Sequence, residues 1–226
     1  MRIALYLAKS GFGARRKTER LLYDGMVTVN GKVVTDYAYS VSKDDKVKVN
    51  GKLAEPNDLV YYLLNKPIGY TSTLSDKHAK KIISELVPDS PPVWPVGRLD
   101  RETEGLIILT NDGSLTYRLT HPKFEKKKEY EVVLDSPLNK SEFESLKLGI
   151  IIQDNQIKPD HISFDKNIYH ITIHSGQNRV VRRMFEHFNK KIVFLRRIHF
   201  GTLDLGELKV GEWRYLSKSE IKDLYV

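Results

Sequence analysis

Residues 96–113 read VGRLDRETEGLIILTNDG. Arg98, Asp100, Arg101, Glu102 and Glu104 crowd into seven positions directly ahead of the apolar run Leu106-Ile107-Ile108-Leu109. A short unbroken apolar run bounded by turn residues reads as a strand buried on both faces. The charges therefore stand at the lip of a buried strand, with Asp100 between two arginines. Two accounts fit this pattern. It is either a charged surface turn, or a carboxylate kept ionised for chemistry by cations that oppose the effect of desolvation.

Working outward, strands are expected over residues 59–65, 105–110, 129–134, 168–174 and 192–198, and helices over 79–86, 113–120, 139–148 and 179–188. Strands and short helices do not alternate regularly, so the expected class is α+β, a mainly antiparallel mixed sheet with flanking helices. Three further segments put unusual residues at strand ends. Lys66-Pro67 and Gly69 leave the first strand through a rigid turn. Lys128-Glu129-Tyr130 brings an aromatic into a strand behind a basic run. After Gly176, a helix carries Arg179, Arg182 and Arg183. Each alone is ordinary: a loop, a core-edge aromatic, a solvated helix face.

The N-terminal fifty residues differ from the rest. They hold ten Lys/Arg against five Asp/Glu, a net +5 of the chain's +8. Residues 2–9 and 14–24 read as two short helices, the second closed by Gly25. Arg15, Arg16, Lys17 and Arg20 fill the second helix's first turns, where the helix dipole favours anions and an external phosphate can be held. Asn30-Gly31 between alternating apolar residues marks a hairpin, because a type I′ turn needs positive φ at both central positions. Lys32 follows it, and a third strand is expected near Lys46–Val49. Residues 50–58 read as a linker, which gives a small α/β domain over 1–52 and a larger one over 59–226.

Composition narrows the class of protein. With 226 residues and 40% hydrophobic, the chain can bury a core. Mean hydropathy is −0.41 and no apolar run is long enough to span a bilayer, so no membrane partner is expected. The absence of cysteine excludes a disulfide framework and thiolate metal sites and fits a cytoplasmic protein. The seven histidines show no metal-ligand spacing, so no metal is expected. A pI of about 9.4 with basic charge gathered at one end points to a polyanion such as nucleic acid.

Taken together, these segments resemble the RsuA-type ribosomal RNA pseudouridine synthases. Gly97-Arg98-Leu99-Asp100 through Thr110-Asn111-Asp112-Gly113 follows that family's signature almost position for position. The Lys-Pro-x-Gly, Lys-x-Tyr and Gly-x-x-Arg-x-Val-Arg-Arg-Met segments occur in the family's order. The arginine pair and the run ending in Asn30-Gly31 resemble the RNA-binding domain first described in ribosomal protein S-four, the usual N-terminal partner in this family. Two positions depart from the pattern: Val180 stands where Gln or Glu is usual, and Gln177 where a cation is common.

The resemblance implies isomerisation of uridine to pseudouridine at a specific site in ribosomal RNA, free or in an assembly intermediate. It implies Asp100 as nucleophile or cation-stabilising carboxylate, paired with Arg182, and Tyr130 stacked on a flipped base. It suggests RNA contacts by Lys66, Arg98, Arg179 and Arg183, alongside Arg15, Arg16, Lys17, Arg20 and Lys32. Isomerisation is neutral overall, so no cofactor is implied, and a monomer is expected. Whether Asp100 attacks sugar or base, and which ribosomal subunit supplies the RNA, stay open. Two other readings are a non-catalytic RNA-binding or assembly factor of the same fold, and a glycosidase pairing Asp100 with Glu102 or Glu104 along an extended segment.

Overall fold

A computed structural model describes residues 1–74 and 79–226. It divides into one unit of Met1–Leu59 with Ser90–Pro92 and a larger unit of Val60–Asp89 with Val93–Val226.

In the small unit, helices α1 (Ile3–Lys9) and α2 (Arg15–Tyr23) pack beside a four-stranded sheet. Its strands are β1 (Val27–Val29), β2 (Lys32–Val33), β3 (Val47–Val49) and β4 (Lys52–Leu53), in the order β2-β1-β3-β4. Val27, Val29, Val47 and Val49 alternate inward against Ile3, Leu7 and Leu22. Thr18 pins the helices together, its hydroxyl donating to the Ala4 carbonyl at 2.9 Å. Residues 50–58 are not a free linker. Asn50-Gly51 turns with φ of 49° and 79°, close to the 51° and 84° of Asn30-Gly31, and returns the chain as β4. Ala54 is buried in the same core, and Asn57 donates to the Lys9 carbonyl.

The large unit is built on β5 (Tyr61–Lys66), β6 (Trp94–Pro95), β7 (Glu104–Thr110), β8 (Lys128–Leu134), β9 (Ile150–Ile152), β10 (Asn155–Ile157), β11 (His161–Asp165), β12 (Ile168–Ile173), β13 (Ile192–Phe200), β14 (Leu203–Asp204) and β15 (Trp213–Tyr215). Its helices are α3 (Gly113–Thr120), α4 (Lys140–Leu148), α5 (Val180–Glu186) and α6 (Lys218–Leu224). The main sheet runs β11-β12-β8-β13-β7-β5-β15. Among its described strand pairs all are antiparallel except β7 with β13.

The apolar run of β7 is buried on both faces. Ile107 and Leu109 join a core with Tyr130, Val132 and Ile171, while Leu106 and Ile108 join a second with Leu115, Leu119 and Phe200. The T-N-D-G end of the opening stretch is structural. Asp112 caps α3 by accepting from the Ser114 and Leu115 amides, and it also accepts from the Tyr61 and Tyr225 hydroxyls. Asn111 and Thr110 hold Val60 by its amide and carbonyl.

The expected helix over 79–86 includes only a 3-10 turn, Ile83–Leu86. Ile82 is extended and bridges Thr71, and Pro88 follows closely, so no longer helix forms. The hairpin β9–β10 and strand β11 show no clear alternation in the sequence.

Candidate active site

The parallel pairing places the start of β7 beside Arg196 and Arg197 of β13. Immediately before it, residues 99–103 form a turn, closed by the Thr103 amide donating to the Asp100 carbonyl at 3.0 Å. The turn is held from the side. Ser72 Oγ donates to the Leu99 carbonyl at 2.7 Å and accepts from its amide at 3.1 Å. The Gly69 amide donates to the Arg101 carbonyl at 2.7 Å.

Lys66 anchors the same turn from beneath. Its ammonium is fully buried and donates to the carbonyls of Thr103 at 2.8 Å, Pro67 at 3.1 Å and Asp100 at 3.2 Å. This corrects the expectation that Lys66 meets RNA, because three backbone carbonyls already occupy its three protons. Burial pulls its pKa down to about 8 against the opposing pull of Asp100, Glu102 and Glu104.

Asp100 projects into a cleft of about 260 Å³ in the large unit. Its Oδ2 lies 3.7 Å from Arg182 Nε and 3.8 Å from Arg179 Nη1. Arg182 is the fixed partner: its side chain is 11% exposed against 42% for Arg179. The far end of its guanidinium donates to the Glu102 carbonyl at 3.0 Å and to Thr103 Oγ1 at 3.2 Å. At these separations the arginines lend positive potential to Asp100 without tight hydrogen bonds to that oxygen. Arg179 enters α5 with φ of 50°, a left-handed conformation uncommon for a side chain of this size.

Tyr130 also lines the cleft and is 8% exposed. Arg98 is exposed at the cleft rim, and Val180 packs into its wall as an apolar surface. Arg183 faces elsewhere: it donates to the side-chain oxygens of Gln153 and Gln177 and does not line the cleft. Among the described residues lining the cleft, Asp100 is the one acid. Glu102 pairs with Arg101 and Glu104 with Arg196. The turn at 101–103 breaks the expected alternation, so the two-carboxylate arrangement of a glycosidase is not formed. No group of three acidic or histidine side chains among the described residues could hold a metal ion.

In the small unit, Arg15, Arg16, Lys17, Arg20 and Lys32 are all exposed. Arg15 pairs with Glu19 and Arg20 with Asp24, each at 3.0 Å and one turn along α2. Exposed pairs of this kind hold their partners weakly. Arg16 and Lys17 have no ion pair among the described residues, which leaves them the freest cations of the helix start.

Residues 60–187 match the family model described as RNA pseudouridylate synthase. The chain belongs to that family. Residues 1–47 of this pseudouridine synthase match the S4 domain. It is 39% identical, over its whole length and 94% of the relative's, to an uncharacterized RNA pseudouridine synthase of Aquifex aeolicus. It is 37% identical to the ribosomal large subunit pseudouridine synthase B of Bacillus subtilis, across 99% of this chain and 95% of that one. The dual-specificity RNA pseudouridine synthase RluF of Escherichia coli is 36% identical, with 78% of its length covered. A crystal structure of a pseudouridylate synthase superposes with a TM-score of 0.72 at 28% identity, covering 99% of both chains.

Sequence reasoning missed two residues of this synthase's cleft, Lys128 and Arg197. Lys128 reads in the sequence only as the lead-in to Tyr130, and Arg197 only as one residue of a strand over 192–198. Arg197 is in fact 3% exposed. Only its register opposite Tyr130 reveals that it faces the cleft, and the register shifts that flank residues 194–197 are announced by no local pattern.

Proposed function

We propose that this enzyme isomerises a specific uridine of ribosomal RNA, with the large-subunit RNA as first candidate. The near full-length similarity to the Bacillus subtilis enzyme supports that choice. The observation that carries the reading is a lone carboxylate, Asp100, set beside two arginines in a cleft that a buried tyrosine also lines. The bond between N1 of the base and C1′ of the ribose breaks, its electron pair leaving with the base. The base then turns and C5 bonds to C1′. The proton lost from C5 is balanced by one gained at N1. Asp100 acts on the reacting nucleotide, either at C1′ or at the ring.

Tyr130 presents its ring to the flipped base, a step required because the glycosidic bond of a stacked nucleotide is out of reach. Arg182 pairs with Asp100 and holds it in place. Arg98 and Arg179 at the rim meet phosphates, and Arg16 and Lys17 of the S4 domain contribute further phosphate contacts. The enzyme works as a monomer in the cytoplasm under this reading.

The test is incubation with unmodified RNA from both subunits, followed by carbodiimide labelling and primer extension. A single new stop on large-subunit RNA supports the proposal. A stop on small-subunit RNA alone corrects the substrate. RNA binding with no stop on either favours a non-catalytic assembly factor.

A further inference from the structure

The cleft floor carries more positive charge than Asp100 requires. Arg197 and Tyr130 are direct cross-strand partners on β13 and β8, and beyond the pair His199–Glu129, Phe200 lies opposite Lys128. All four line the cleft. Arg197 is held rigidly: its Nε donates to the Leu106 carbonyl at 2.8 Å, and its guanidinium lies 4.8 Å from the Phe200 ring centre. Yet its Nη2 is fully buried with no hydrogen-bond partner among the described residues. Arg197 also has no ion pair among the described residues. Lys128 beside it donates to the carbonyls of Lys126 and His174, and burial together with the Arg197 charge pulls its pKa down to about 8.

A buried guanidinium with an unsatisfied donor is costly in isolation, and such groups persist where a ligand completes them. Resting on the isomerase reading above, we propose that the Arg197 guanidinium is an oxyanion donor for a carbonyl oxygen of the target uracil. Tyr130 and Arg197 stand side by side, so a base lying on the tyrosine ring presents its edge to the arginine. Either chemical route places negative charge at that edge. If Asp100 attacks C1′, the base departs with the bonding electron pair, which spreads over N1 and the carbonyl oxygens. If Asp100 attacks the ring, the electrons of the C5–C6 double bond move to the O4 side as an enolate. A fixed donor aimed at charge that develops during reaction lowers the barrier without tightening ground-state binding.

The test compares Arg197→Met with the wild type, using single-turnover rates and RNA affinity on the RNA that the wild type isomerises. The expected rate loss is about 10²–10³-fold, the usual cost of removing one such donor. RNA affinity is expected to stay within about twofold, because the interaction is made in the transition state. Arg197→Lys restores part of the rate. A folded Arg197→Met within about threefold of the wild-type rate overturns the proposal, as does a loss confined to RNA affinity. A measurement on the unmodified protein stands independently of the variant's folding. Barbiturate, a uracil-shaped ring that is anionic at neutral pH, should compete for the cleft more strongly than neutral uracil. Equal competition counts against an oxyanion subsite. Failure of the wild type to form pseudouridine strikes the isomerase reading, whereas the barbiturate comparison reads the subsite directly.

Discussion

Gly105 and Arg197 face each other across the parallel pairing of β7 and β13, so closely that a Cβ on Gly105 would fall 2.3 Å from the Arg197 carbonyl oxygen. Gly105 also holds φ at 112°, a conformation side chains rarely adopt. This close approach brings the Asp100 turn and the Arg197 side chain to one cleft.

The first prediction concerns that approach. Gly105→Ala is expected to destabilise the large unit by about 3 kcal/mol or more, since overpacking against backbone adds to the conformational strain. Denaturant unfolding of the variant checks it. A change under about 1 kcal/mol would show that the two strands separate easily.

Lys66 gives a pH prediction. Its folded pKa of about 8 lies below its ordinary value of 10.5. Below pH 8 the ammonium is charged in both folded and unfolded chains, and the full cost of burying it is felt. Between about pH 8 and 10.5 the unfolded chain holds the extra proton, so this group makes the fold more stable as pH rises. The turn around Asp100 behaves in the opposite sense, because neutral Lys66 can no longer donate to three carbonyls. Activity should therefore fall above about pH 8 with no loss of folded protein. The alkaline fall should persist in Lys128→Met and vanish in Lys66→Met, which itself loses roughly 1–3 kcal/mol of stability. Retention of the fall in Lys66→Met would assign it to another group.

For the S4 domain, Arg16→Glu with Lys17→Glu should weaken RNA binding and make it less salt-dependent. Removing one phosphate interaction lowers the slope of log K against log salt by about 0.7–0.9. The catalytic rate at saturating RNA is expected to hold. An unchanged slope would place the RNA on another face of the small unit.

Tyr130 separates stacking from proton transfer. Tyr130→Phe keeps the ring and should keep RNA affinity, whereas Tyr130→Leu should forfeit about 1–3 kcal/mol of base stacking. Equal affinities for the two variants would argue against a base resting on this ring.

Much of the fold is legible because its signals are local. The doubly buried β7, the Asn30-Gly31 hairpin and the helix ends all follow from short stretches of sequence. Asn50-Gly51 carries the same hairpin signal and reads as a linker only because the following strand has two residues. The site is legible in part. Asp100, Arg182 and Tyr130 meet in one cleft. Lys66 is expected at RNA from the family resemblance alone. Its burial depends on the carbonyls of Asp100 and Thr103, brought from one distant turn, which sequence spacing cannot show. Arg183 groups with Arg182 as a neighbour in sequence, yet the turn of the helix sends adjacent side chains in different directions.

If Asp100 performs chemistry in this cleft, pseudouridine formation depends on its carboxylate. The most direct measurement is pseudouridine formation by the wild type and by Asp100→Asn on the same ribosomal RNA, with RNA affinity measured for both. The account predicts a modified uridine from the wild type only, with affinity held within about threefold because a lone carboxylate among cations is not a phosphate ligand. Comparable pseudouridine from Asp100→Asn would contradict it.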